Sequence, residues 1–372
     1  MPSSPSITLA PSDLPPRLTV VIVNYNGWDD ITRLTKSLAL SPEVRDGRCE
    51  IVVVDNASEG PIPQELASPP RGVRLIVRAN NGGFAVGVNT GWRSSSSPWL
   101  LLLNPDVETG PELIGRVLAR IEFHGSRPEG PPGIVGFGLL NSDGSKQPSV
   151  GVEPGLLRSM LGQFIPRSRR KYQAGWRTHP GPVSWVTGAC LLLDASLMRA
   201  LNGMDEDYFL YYEEVALCRS ARDLGRRVEY DDAVSVVHLR PLQNRAVPPK
   251  LRVIVRHAKL LFFRKHLPFW QFWTLSWLIS VESRVREAAA RWRSDGASVR
   301  AWRTINRITS SMRRGEIVRG RDVLLMAEAA TGGASARLDP AAPLPRPAGI
   351  SPARDASAQR TADGVESFWI SE

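Results

Sequence analysis

Apolar and polar positions along this chain follow two periods that alternate at regular intervals. Residues 18–24, LTVVIVN, form a β-branched apolar run of the kind that fills a strand buried on both faces. From Asp29 to Leu40 the apolar residues Ile31, Leu34 and Leu38 recur at helical spacing. Glu50–Val54 reads as a second buried strand running into Asp55-Asn56, and Val73–Val77 as a third. Asn80 to Gly91 is a Gly/Asn-rich turn leading into a helix. Trp99–Leu103 is a fourth strand, ending at Asn104-Pro105-Asp106. Pro111–Phe123 is helical, with Pro111 suited to a first turn, where a missing N–H loses no partner. Strands alternating with helices predict an α/β fold: a mostly parallel, doubly wound sheet covered on both faces. Such sheets bind ligands outside the carboxyl ends of their strands. Asn24, Asp55 and Asp106 all sit at such ends, so the pattern predicts one shared crevice.

The second half is less regular. Residues 142–182 read as irregular and basic, with Arg167, Arg169, Arg170 and Lys171. Val183–Leu193 is apolar and contains WVTGAC, and Arg227–Tyr230 and Val234–Val237 read as strands. From Leu251 the pattern is helical and basic. Pro268–Ser280, PFWQFWTLSWLIS, carries no charge but is shorter than the ~20 residues a bilayer crossing needs. Trp flanked by Arg and Lys suits a membrane interface instead. The Ala/Pro/Arg/Ser-rich tail from 329 to 372 predicts disorder. Residues 1–16 read as a short disordered leader, without the basic start and apolar run of a secretory signal.

Charge and cysteine content narrow the picture. The formal net charge is +10, yet residues 240–320 carry 18 Lys and Arg against four acids, while the rest carries 29 against 33. The basic character is local, and can serve anionic lipid, nucleic acid or solubility. No nucleic-acid recognition motif accompanies it, so nucleic acid is not an expected partner. Cys49, Cys190 and Cys218 are odd in number and show no CxxC spacing, which argues against a disulfide framework or zinc site and for a reducing compartment.

The densest chemistry lies in MDEDYFLYYEEVALCRSARDLG, residues 204–225. Six carboxylates (Asp205, Glu206, Asp207, Glu213, Glu214, Asp223) stand among Tyr208, Phe209, Tyr211 and Tyr212. Glu213-Glu214 opens a helical pattern. A like-charge pair beside aromatic surface is costly unless a helix N-terminus, a metal or a proton relieves it, and that environment tunes a carboxylate to act as a general base.

The ordered series VVIVNYNG, EIVVVDNAS, NNGGFAVGVNTG, LLLNPDVE, WVTGACLLL, MDEDYFLYYEEVALC and VVHLR resembles the family 2 inverting glycosyltransferases of the GT-A fold. The branch it resembles is the bacterial rhamnosyltransferase-like and galactofuranosyltransferase-like one, over roughly residues 18 to 265. The resemblance implies a catalytic domain over 17–240, with a nucleotide-sugar half (17–125) and an acceptor half (126–240). A basic aromatic helical extension follows over 241–328, with possible membrane contact.

The resemblance also implies roles. Asp55 would meet the base or ribose of the donor, flanked by Asn24 and Asn26; its bland alternative is an acid capping the turn through Asn56 and Ser58. Asn81 and Gly83 form a turn before a helix, where backbone can approach phosphate closely. Asn104 and Asp106 stand for the acidic metal motif, with Asp106 and His238 as ligands of Mg2+ or Mn2+. Gly188 and Ala189 would lie under the donor sugar, and Trp185, Asp205 and Glu206 on the acceptor side. Glu214 would be the base, with Glu213 as its alternative. Glu replaces the usual Asp at 214, and Ala216 replaces a frequent second Asp.

The expected function is metal-dependent, inverting transfer from a nucleotide-diphosphate sugar, with dTDP-rhamnose or a UDP-sugar favoured. The expected acceptor is a glycan or lipid-linked saccharide in cell-envelope synthesis. The expected location is cytoplasmic, peripheral at the inner face of the plasma membrane. A nucleotide-sugar-binding pseudoenzyme is the alternative suggested by Glu214 and Ala216.

Overall fold

The computed structural model describes residues 15–161, 179–240 and 247–331. The leader over 1–14, the loop cations Arg167, Arg169, Arg170 and Lys171, and the tail beyond Thr331 lie outside the described residues.

The strands are β1 (Leu18–Asn24), β2 (Cys49–Asp55), β3 (Val73–Val77), β4 (Trp99–Leu103), β5 (Val107–Glu108), β6 (Ile134–Leu140), β7 (Lys146–Gln147), β8 (Val150–Gly151), β9 (Gly181–Pro182), β10 (Trp185–Val186), β11 (Cys190–Asp194) and β12 (Val228–His238). The main sheet has the order β3-β2-β1-β4-β11-β6-β12-β5, with β7 on β6 and β9 on β12. β1 to β4 are parallel, and Asn24 lies in register with Asp55 and Ile22 with Leu103. Their carboxyl ends therefore form one edge, as the sequence pattern predicts. β11 is inserted antiparallel between β4 and β6, and β6 and β12 are parallel. This is the α/β, mostly parallel sheet expected of a GT-A enzyme.

Local differences from the sequence reading have simple causes. The two short strands expected near Arg227 and Val234 are one strand, β12, whose register shifts between Asp231 and Ser235. Residues 142–182, read as irregular, contain β7, β8 and the helix Leu156–Leu161. The helix expected from Pro111 starts at Leu113.

Alternation along β1 builds two cores. Leu18, Val20 and Ile22 pack with Ile31 and Leu34 of α1 (Trp28–Ala39) on one face. Val21 and Val23 point to the other face. There they meet the helix Phe84–Arg93, the helix Glu213–Asp223 and a C-terminal set of Pro249–His266, Phe269–Trp292, Gly296–Arg313 and Gly320–Thr331. Phe262, Phe263 and Trp302 from that set share one buried cluster with Val21 and Leu102 of the sheet. Burying each such side chain contributes roughly 1.5–3 kcal/mol, so the C-terminal helices are integral to the domain.

Much of the local positive charge is spent inside. Arg256 is buried, pairs with Glu282 at 2.8 Å and lies 4.5 Å over the Trp302 ring. Lys250 meets Glu328 at 2.7 Å, and Arg264 donates to the carbonyls of Met312, Gly315 and Glu316.

Candidate active site

The crevice begins at the carboxyl end of β1. Asn24 is fully buried, donates through Nδ2 to Asp55 Oδ1 at 2.8 Å, and accepts the Gly27 N–H at Oδ1. Asp55 also accepts the Ser58 amide at 3.0 Å, which is the capping arrangement. Asn26 adopts φ 56°, in the left-handed region that Asn tolerates, and its side chain accepts the Glu59 N–H. Burial raises the Tyr25 hydroxyl above its ordinary value, against a lowering hydrogen bond with Asn81.

The glycine turn joins this corner to the acidic stretch. Asn56 Nδ2 donates to the Gly83 carbonyl at 2.8 Å, and Asn81 Oδ1 accepts the Gly83 N–H at 3.0 Å. Gly83 has φ +96°, and a Cβ there would collide with the Phe209 carbonyl. That close approach lets the Phe84 N–H reach Phe209 O at 2.9 Å. Donor-side loop and acidic-aromatic stretch are thus fastened backbone to backbone.

At β4 the metal-motif residues come together through main-chain pairing. The Asn104 N–H donates to Ala189 O at 3.0 Å, which seats WVTGA beside the motif. β5 and β12 pair antiparallel, with His238 in register with Val107, the neighbour of Asp106. His238 Nε2 lies 3.4 Å from Asp106 Oδ1 and 3.5 Å from Asn104 Nδ2. His238 Nδ1 lies 2.7 Å from Gln147 Oε1. Arg240, ion-paired with buried Asp30, stands 3.9 Å from Asp106.

This donor set fits a divalent cation. Two cis ligands of an octahedral ion with bonds of about 2.1 Å stand about 3 Å apart, close to the observed carboxylate–imidazole gap. A carboxylate and an imidazole suit Mn2+ or, less closely, Mg2+. Among the described residues no group of three or more His, Cys, Asp or Glu could hold a metal.

The Glu213-Glu214 pair stands at a helix start. Tyr211 and Tyr212 both adopt left-handed φ, 70° and 68°, a costly conformation for bulky residues that recurs at functional sites. They turn the chain so that Glu213 and Glu214 open the helix Glu213–Asp223, where the helix dipole favours negative charge. Both carboxylates are buried. A Cβ on Gly188 would stand 3.8 Å from the Glu214 Cβ and 3.9 Å from the Phe84 ring. Gly188 thus lies directly against Glu214 and Phe84, with room for no more than a methyl group in van der Waals contact. The Tyr212 ring lies 5.7 Å from Phe262. The backbone of 206–209 packs on Gly320, where a Cβ would meet Phe209 N at 2.9 Å.

Other expected residues take different places. Trp185 is buried, its indole packed where a Gly151 side chain would sit and its N–H donated to Val152 O at 3.0 Å. It is a pillar of the β8–β10 pair, because a ring so enclosed offers no face to an acceptor. Asp205 is bound by Lys265 at 2.6 Å, and Glu206 by Asn89 and Arg93 at 2.8 and 3.0 Å. These partners brace the stretch, and both residues line a cleft with Arg93, Met204 and Ala216. Cys190 is a buried free thiol whose pKa burial pushes up, a packing residue. Sequence reasoning missed Gln147, Asn89 and Arg240. Asn89 also donates to Met204 O and accepts the Met204 N–H, each at 2.8 Å.

Comparison with known proteins bears on the family. The glycosyl transferase family 2 model matches residues 19–190, from β1 to the start of β11. An N-acetylglucosaminyl-diphospho-decaprenol L-rhamnosyltransferase of Mycobacterium tuberculosis is 28% identical over 292 residues, covering 72% of this chain and 92% of that protein. The low-salt glycan biosynthesis hexosyltransferase Agl10 of Haloferax volcanii is 26% identical over 272 residues, covering 71% and 82%. Among solved structures, a mannosyltransferase of Pyrobaculum calidifontis in complex with GDP-Man and Mn2+ is 16% identical, covers 87% of this chain and 89% of its own, and has a TM-score of 0.45. The family model covers β1 to the start of β11, and the relatives align over most of their own length; together they support a glycosyltransferase of family 2, of the rhamnosyltransferase-like branch.

Proposed function

We propose that the enzyme moves a sugar, with inversion, from a nucleotide-diphosphate donor to a hydroxyl of a lipid-linked saccharide, with dTDP-rhamnose or a UDP-sugar as donor. The observation that carries this reading is the meeting of Asp106 and His238, 3.4 Å apart, at the edge of the sheet where β1 and β2 end in Asn24 and Asp55. Glu214 lies against Gly188, next to the Ala189 carbonyl that accepts the Asn104 N–H. The rhamnosyltransferase relative supports the donor and the lipid-linked acceptor.

In this reading Asn24, Asn26 and Asp55 hold the nucleoside, and the Asn81–Gly83 turn and Arg240 face its phosphates. Asn104, Gly188 and Ala189 border the sugar. Mg2+ or Mn2+ held by Asp106 and His238 neutralises charge on the leaving diphosphate. Glu214 takes the proton of the acceptor hydroxyl as its oxygen attacks the anomeric carbon. The bond to the diphosphate breaks on the opposite face, so no enzyme nucleophile is needed. Glu213, adjacent on the same helix start and also buried, is the alternative base.

Placement at the cytoplasmic face of the membrane is supported by one surface. The helix Phe269–Trp292 exposes Phe269, Trp270, Trp277, Val281, Val285 and Trp292 along its length. Exposed Arg284, Arg291 and Arg293 follow toward its end. Aromatic and basic residues together favour an anionic lipid surface. No helix of the described residues is long and apolar enough to cross a membrane.

The test is a panel of sugar nucleotides with and without Mn2+, read by thermal shift and product formation, on the wild type and Glu214→Gln. The variant should bind donor and lose turnover. Wild-type turnover in that variant removes Glu214 from the role of base.

A further inference from the structure

We propose that Gln147 is a positioning residue that locks His238 in the Nδ1–H tautomer, turning the bare Nε2 lone pair toward Asp106. The inference rests on the reading of Asp106 and His238 as cation ligands.

The argument starts from an acceptor that cannot be reassigned. Gln147 Nε2 lies 3.2 Å from the backbone carbonyl of His238 and 2.9 Å from Asn141 Oδ1. A carbonyl oxygen only accepts, so the Gln147 nitrogen must face it. The amide oxygen is thereby aimed at the imidazole, 2.7 Å from Nδ1. An amide oxygen also only accepts, so Nδ1 carries the proton and Nε2 in the neutral ring carries a lone pair.

That lone pair is in reach of the Asn104 Nδ2–H donor at 3.5 Å and faces Asp106 Oδ1 at 3.4 Å. A cation between Nε2 and the carboxylate would relieve the two facing acceptors. A free imidazole favours the opposite tautomer, with the proton on Nε2, so the ring state here has to be imposed. Gln147 is buried, and main-chain pairing holds it: β7 pairs with β6, Gln147 in register with Leu139. Partners of this kind on the far nitrogen of a ligating His typically change metal affinity 10–100-fold when removed.

The test uses the full chain at about pH 8, above the ordinary His value of ~6.5. Long-range proton–nitrogen NMR of the imidazole reports the tautomer without any metal. Electron paramagnetic resonance of free Mn2+, with dTDP or UDP present, reports binding. In the wild type His238 should be Nδ1–H. Gln147→Leu should shift it toward Nε2–H and weaken Mn2+ binding by roughly tenfold or more. A melting curve of Gln147→Leu that stays cooperative and close to wild type shows that the variant is folded. An Nε2–H ring in the wild type, or an unchanged tautomer in a folded Gln147→Leu, overturns the proposal. A tautomer that switches in a wild-type background that binds no Mn2+ upholds the hold of Gln147 on the ring and overturns the metal reading.

Discussion

The two ends of the crevice are built by different means. At the metal end, Asp106, His238 and Gln147 are brought together by strand pairing: β5 with β12, and β7 with β6. The main chain fixes those side chains within a residue or two of a ladder. At the base end, Glu213 and Glu214 follow two left-handed tyrosines, and the support comes from helices up to 110 residues later, through Phe262, Lys265 and Gly320. Register secures the first end, and packing from the far end of the chain secures the second. The second should therefore be the softer of the two.

Substitutions and acid can pull the ends apart. The largest effect belongs to the chemistry itself. Glu214→Gln should cut turnover by about 10³-fold while the donor Kd stays near the wild-type value, since a general base contributes 10²–10⁴-fold. Steady-state rates beside calorimetric donor titration check it.

Acid comes next. Burial pushes His257 down to about 4; it donates to Val318 O at 2.8 Å, with Asp207 and Lys265 as its charged neighbours. A base depressed by folding gives stability that is complete above its ordinary value of ~6.5 and is lost as pH falls toward that lowered one, here about 3 kcal/mol in all. In the sheet, burial alone would raise Asp231, but hydrogen bonds from His124, the Ala233 amide and Arg120 outweigh it and hold it at about 2. Its contribution is complete above ~3.9 and lost only as pH falls through about 2. Hydrogen exchange should therefore show the helix around residue 257 and the connection at 318 loosening between about pH 6.5 and 4, before β12 does. Simultaneous loosening would contradict the comparison.

Gly320→Ala should cost about 2 kcal/mol, because a Cβ would press on the backbone of Phe209 and that strand of chain has no rotamer to change. Melting temperature should fall, turnover should fall with it, and Mn2+ affinity should not move. The smallest effect is Lys265→Met, at about 1 kcal/mol, since the cation is a quarter exposed while joining Asp205 and Asp207. A donor-binding defect in either variant would mean that the two ends are not separately built.

The same contrast explains what the sequence disclosed. Strand ends are visible as apolar runs that stop at polar residues, so Asn24, Asp55 and Asp106 could be placed on one edge before any coordinates. His238 came from the family resemblance, through VVHLR as the last of the ordered motifs, and not from its place after an apolar run. Gln147 could not be found this way, because two-residue strands leave no periodicity and residues 142–182 read as loop. Trp185 was misjudged because a Trp beside small residues looks like a sugar platform, whereas Gly151 is the cavity that swallows it. The C-terminal segment looked like a basic appendage because composition counts charges without their partners. Arg256, Lys250 and Lys265 are bound to Glu282, Glu328 and the Asp205–Asp207 pair. Asn89, at the heart of NTG, signals nothing until Met204 is folded against it.

The hydrogen bond from the Phe84 N–H to Phe209 O sets a limit on modular engineering. Exchanging the donor-side loop for that of another transferase, to change which sugar is used, would transplant one half of a clasp. The graft has to carry glycine at position 83 and a matching backbone at 208–209, so donor choice and acceptor choice travel as one cassette.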